Sequence, residues 1–105
     1  MRNDLITLIT QYTEDNEIKR ERKDDIFAER KSVTRAEYYS AYASGLSPRY
    51  VFDMSPDDYE CAAVRVTEDE DTREYLPSKV IYNGITYEII RTFKKNDESL
   101  EVTVR

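Results

Sequence analysis

Apolar and polar positions alternate most clearly over residues 79–105. Lys79-Val-Ile-Tyr-Asn-Gly-Ile-Thr-Tyr-Glu-Ile-Ile-Arg-Thr-Phe93 sets two β-prone runs on either side of Asn83-Gly84. Asn-Gly is the strongest short-range hairpin signal, because both central residues of a type I′ turn need positive φ. Beyond the turn, Ile85, Tyr87, Ile89 and Phe93 fall on one face, interrupted by Arg91. Thr86, Glu88 and Thr92 fall on the other, with Ile90 as an apolar exception. A period of two predicts a half-buried strand. Leu100-Glu-Val-Thr-Val-Arg105 alternates in the same way after a short polar loop at 94–99. The C-terminal third therefore reads as a three-stranded antiparallel meander.

Upstream, residues 5–11 are a first strand candidate. Residues 12–25 are polar, with the basic cluster Lys19-Arg-Glu-Arg-Lys23 flanked by acids, and read as a solvated loop. Residues 26–33 and 49–54 are further strand candidates. Between them, Thr34 and Glu37 have the spacing of a capping box. Ala36, Tyr39 and Ala43 would share one helical face, and Gly45 would end the helix. The same segment could equally be an ordered loop that takes shape only in an assembly. Ser55-Pro-Asp-Asp58 is turn chemistry, residues 59–67 a fourth strand and residues 68–74 an acidic loop. The expected fold is a single all-β domain over residues 1–105. It is a small antiparallel β-barrel of five to six short strands with long loops, the helix near 34–44 being left open. Residues 26–33, 49–54, 59–67, 79–82, 85–93 and 100–104 are its expected staves. Leu100, Val102, Val104, Tyr87 and Ile89 are expected to point inward.

Composition narrows the function. Of 105 residues, 39% are hydrophobic and 36% charged, so a modest core and a polar surface are expected. Nine Tyr, three Phe and no Trp make tyrosine the main aromatic, a residue suited both to cores and to interfaces. The net charge of −6 is uneven: residues 1–50 carry nine acids and nine bases, residues 51–105 thirteen acids and seven bases. That balance argues against tight, sequence-specific DNA binding, which needs clustered Lys and Arg. The single Cys61 excludes an internal disulfide and is expected to be a small buried residue on a strand. There is no apolar run of membrane-spanning length and no signal-peptide core, so no membrane role is expected and the protein is expected to be made and kept in the cytoplasm.

Catalysis is not expected. The chain has no His, the most frequent general base, and its two glycines cannot build a phosphate-cradling loop. The acidic loop lacks the spacing and glycine of a calcium-binding loop, and reads as a solvated surface. No cofactor or metal is expected.

The order of features, not any one motif, carries a resemblance. Phe27-Ala-Glu29 is followed by Ser32-Val-Thr-Arg-Ala-Glu-Tyr38, Gly45-Leu-Ser-Pro48, an aromatic strand with Tyr50 and Phe52, and then Tyr82-Asn-Gly-Ile-Thr-Tyr-Glu-Ile89 with Arg91-Thr92. This succession, over roughly residues 4–105, resembles the head–tail joining proteins of tailed bacteriophages, also called head-closure or stopper proteins. Residues 61–74 are longer and more acidic than that pattern. The resemblance implies a structural protein of the head–tail connector, phage or prophage encoded. Such a protein docks on the portal or adaptor ring, closes the DNA-filled head and offers the attachment surface for the tail-completion protein. It implies a ring homo-oligomer in the virion. It also implies that the segment around residues 34–50 reaches toward neighbouring subunits or the channel, which makes Tyr38, Tyr39, Tyr42, Gly45 and Tyr50 the candidate interface residues. Glu68, Asp69, Glu70 and Asp71 would then be a channel-facing loop, repelling the duplex and keeping it mobile. The competing reading is a small acidic DNA-mimic inhibitor or another protein-interaction module.

Overall fold

A computed structural model describes residues 2–15, 17–36, 39, 45 and 47–105. They include strands β1 (Asp4–Glu14), β2 (Ile18–Lys31) and β3 (Tyr50–Met54), helix α1 (Pro56–Cys61), and strands β4 (Val64–Glu68), β5 (Asp71–Tyr75), β6 (Lys79–Tyr82), β7 (Ile85–Asn96) and β8 (Ser99–Val104). Six strands close into an antiparallel barrel in the order β1-β2-β3-β8-β7-β6, and β4 and β5 form a separate two-stranded sheet. Closure pairs each stave on both sides along part of its length and removes sheet edges there.

The meander forms as its alternation predicts. Asn83 and Gly84 both have positive φ, at 51° and 77°, and join Tyr82 to Ile85. Leu100, Val102 and Val104 are buried, with Tyr87 beside them, and Ile89 packs half-buried against the same cluster. Phe93 departs from the expected face. The pairing shifts between Ile89 and Arg91, so one extra residue is inserted into β7. Because side chains alternate with period two, a single insertion exchanges the faces beyond it. Thr92 now pairs with buried Val102, while Phe93 pairs with Glu101 and stands 57% exposed.

Three expectations are corrected. Residues 59–67 are not a stave of the barrel, whose sixth strand is β1. Their first part lies in α1, which begins with Pro56 at its first turn and has Asp57 and Asp58 where they face the positive end of the helix dipole. Tyr59 and Ala62, three residues apart on one face, join the core. Cys61 is consequently exposed on the helix, and Ala62 is the small buried residue in its place. The expected loops at 12–25 and 68–74 are instead hairpins. β1 and β2 stay paired out to Glu14 and Ile18, and β4 and β5 pair from Val64–Tyr75 to Glu68–Asp71. Both had read as loops because neither has a buried face to impose an apolar alternation. Of the expected helix near 34–44, Arg35, Ala36 and Tyr39 are helical and Thr34 precedes them outside the helix, while residues 37, 38 and 40–44 lie outside the described residues.

The core is continuous. Ile6, Leu8, Ile26, Ala28, Phe52, Met54, Val80, Tyr87, Leu100, Val102 and Val104 fill the barrel, and Tyr59 and Ala62 enter from the end where β3 leaves it. Thr10, fully buried, donates its hydroxyl to the Ala62 carbonyl at 2.7 Å, which ties β1 to the end of α1. Tyr59 donates to the Pro77 carbonyl at 3.5 Å, and burial pushes its phenol pKa up.

Candidate functional site

Two regions carry the residues singled out from the sequence. The first is the mouth of the barrel, where β2 ends, β3 begins and the β6–β7 turn closes. Lys31 ends β2 there, Arg49 comes just before β3, and the backbone NH of Arg49 donates to the Val104 carbonyl at 2.8 Å. Tyr50 then begins β3. It is half-buried, with ring centroids of Tyr87 at 5.4 Å, Tyr82 at 6.1 Å and Phe52 at 6.2 Å in tilted or edge-on contact. Such edge-to-face contacts suit the ring quadrupoles. The Arg30 guanidinium lies 5.1 Å from the Tyr50 centroid and 5.9 Å from that of Tyr82, within cation–π range of both. Burial pushes the Tyr87 phenol above its ordinary pKa, and the neighbouring Tyr50 adds to the shift. Tyr50 is thus a packed stopper at the barrel mouth, holding the C-terminal end of the 32–49 segment in place.

The other candidates of this segment separate. Tyr39 is 63% exposed. Gly45 is exposed and sits at φ 78°, with no atom within 4 Å of where a Cβ would stand. Its backbone angle, not crowding, is what favours glycine. Tyr38 and Tyr42 lie outside the described residues.

The second region is the β4–β5 hairpin. Asp69 and Glu70 occupy its turn with φ of 49° and 69°. This is the same left-handed pair as at Asn83-Gly84, built without glycine or asparagine. Glu68, Asp69, Glu70 and Asp71 are therefore held on a fixed turn rather than a loose loop. The tip is docked: the Asp15 backbone NH donates to a Glu68 carboxylate oxygen, and the rings of Tyr12 and Tyr75 are 6.3 Å apart. A cleft of about 80 Å³ lies between them, lined by Thr13, Val66, Glu68, Asp71, Arg73 and Tyr75. A more open cleft of about 530 Å³ adjoins it, lined by Tyr12, Thr13, Lys19, Arg20, Glu21 and Tyr75. Among the described residues, no group of three His, Cys, Asp or Glu side chains is arranged to hold a metal ion, and no helix is long and apolar enough to cross a membrane.

A third constellation had no sequence signal. Asp53, 9% exposed, accepts from Ser99 Oγ at 2.9 Å and Arg2 Nη2 at 3.0 Å, and lies 3.3 Å from Lys31 Nζ. Arg2 also donates to the Glu98 carbonyl. Burial alone would raise the Asp53 pKa, but the hydrogen bonds from Ser99, Arg2 and Lys31 outweigh it and hold the carboxyl below its ordinary value. The stagger of the strands is what brings Arg2, ahead of β1, to the far part of β3: Asp4 pairs with Ala28, and the next residue of β2, Glu29, pairs with Asp53. The arrangement ties the N-terminal segment to the β7–β8 turn.

No family model matches the chain, and no curated protein matches it.

Proposed function

We propose that the chain is a structural component of a phage or prophage head–tail connector, docking on a portal or adaptor ring, closing the filled head and presenting a surface to the tail. The observation that carries this reading is the ordered set of residues from Phe27 to Thr92, seen together with a closed barrel whose β2 and β3 are joined through the long stretch of sequence 32–49. The barrel supplies a rigid body, and Tyr50 clamps one end of the segment. Tyr38, Tyr39 and Tyr42 would be its contacts with other subunits, since aromatic anchors often dominate such interfaces. Glu68, Asp69, Glu70 and Asp71 would line the channel and keep the duplex from sticking. The protein would be made in the bacterial cytoplasm, act without cofactor or catalysis, and form its ring in the virion.

Deleting the gene tests this. The expected result is heads that package DNA, then leak it and fail to bind tails. Normal phage yield would refute the reading. Within the protein, Tyr38→Ala/Tyr42→Ala is expected to leave the melting temperature nearly unchanged while blocking assembly onto purified connectors. A second reading, the acidic DNA mimic, is favoured by the four consecutive acids fixed at Glu68–Asp71. It requires the chain to compete with duplex DNA for a DNA-binding protein.

A further inference from the structure

β2 is fourteen residues long, yet β3 pairs with only Glu29, Arg30 and Lys31 of it. Among the described strands, none pairs with the outer edge of residues 18–28. A long open edge is a ready template for another strand, and charges along it normally discourage pairing. Here the charges alternate. On one face of β2 stand Lys19, Glu21, Lys23 and Asp25, all exposed, and on the other Arg20, Arg22 and Asp24.

Two copies of one strand pairing antiparallel are related by a two-fold axis perpendicular to the sheet, so the axis must pass through a residue and each side chain must face another of its own face. With the axis at Arg22, Lys19 of one copy faces Asp25 of the other, Arg20 faces Asp24, and Glu21 faces Lys23. Each pair occurs twice. Ile18, 46% exposed in the single chain, faces Ile26. Of the charged residues here, only Arg22 meets its own kind, on the axis. Moving the axis to Glu21 sets Lys19 against Lys23, and moving it to Lys23 sets Glu21 against Asp25. Opposite charges across a strand pair stabilise it and like charges oppose it, so the pattern selects one register.

We propose that the chain self-associates as a two-fold dimer through antiparallel pairing of β2 edges centred on Arg22. The occupant of the edge is a second copy. This goes beyond the connector reading and does not depend on it. A two-fold contact closes after two copies and cannot build a ring, so on the connector reading the dimer would belong to the free protein.

Within one chain, Glu21 accepts a long hydrogen bond from Gln11 Nε2 at 3.4 Å, which a charge swap at the central pair gives up, and the β1 partner of Lys23 is Ile9. Light scattering and sedimentation equilibrium on the purified chain are the test. The expected result is a reversible dimer that salt weakens. Lys23→Glu puts Glu opposite Glu21 twice and should weaken the dimer about tenfold. Glu21→Lys/Lys23→Glu should restore it. Lys19→Asp and Lys19→Asp/Asp25→Lys form an independent second set, and thermal melts report that each variant is folded. A strictly monomeric parent, a dimer indifferent to the single reversals, or a double swap that fails to rescue would each overturn the proposal.

Discussion

The β1–β2 hairpin is one continuous element held by two kinds of force. In its barrel half, Ile6, Leu8, Ile26 and Ala28 are buried and meet residues from every other stave. In its outer half, from Gln11 to Lys23, no side chain among the described residues is buried. What holds that half is backbone pairing, the Arg20–Glu14 ion pair at 2.8 Å, the Tyr12–Tyr75 contact and the docking of its tip on Glu68. Exposed ion pairs contribute little individually, because water screens them and two long side chains must be ordered. The barrel half should therefore set the global stability, and the outer half should open locally at a lower cost. The lesson is that strand length and strand stability are separate properties: β2 is the longest strand described, and most of it rests on no apolar face.

The largest effect expected from this contrast is at Phe52, which is fully buried at the centre of the core. Phe52→Ala should cost about 3–5 kcal/mol by chemical denaturation, and a loss below about 1 kcal/mol would mean the barrel is not the stable unit.

Asp53 comes next. Because its folded pKa lies below the ordinary 3.8, its contribution is fully present above that value and disappears as pH falls through the folded pKa. Asp53→Asn should cost about 1–3 kcal/mol at neutral pH. It should also flatten the acid limb of the stability curve, which melts between neutral and acid pH will read. An unchanged acid limb would show that other carboxylates govern it.

The two left-handed turns sharpen the comparison further. Gly84→Val should cost about 1–2 kcal/mol, because the branched side chain is forced to positive φ. At the outer hairpin, replacing Asp69-Glu70 by Asn-Gly should slow amide exchange in β4 and β5, since that pair suits the conformation already present. Global stability should move by less than about 1 kcal/mol. The smallest effect is expected at Arg20→Ala, within about 0.5 kcal/mol by denaturation. A larger value would give the ribbon a share in the global fold that its exposure denies it.

How legible the fold was follows from where each signal resides. Asn83-Gly84 and the alternation at 100–104 are local, and they formed as read. Ser55-Pro56-Asp57-Asp58 was also local and read as a turn, but the same residues can open a helix, and in the fold they do, with Tyr59 and Ala62 reaching the core from the helix and its C-cap. Residues 12–25 and 68–74 held no apolar alternation, so nothing along the chain distinguished a solvated hairpin from a loop. Of the candidate interface residues, Tyr50 was recognisable as an important aromatic, but its engagement with Tyr82, Tyr87 and Arg30 joins three strands distant in sequence. The Asp53 cluster was invisible for the same reason.

The sequence by itself determined the all-β class, the type I′ turn, the inward set of β8 and the absence of histidine chemistry, because each depends on residue type or on neighbours a few positions away. The tertiary structure alone decided that β1 and not residues 59–67 completes the barrel, that the bulge after Ile89 turns Phe93 outward, and that strand stagger carries Arg2 to Asp53. Those outcomes depend on register around a closed ring, where each pairing is fixed by all the others. No single strand encodes that constraint.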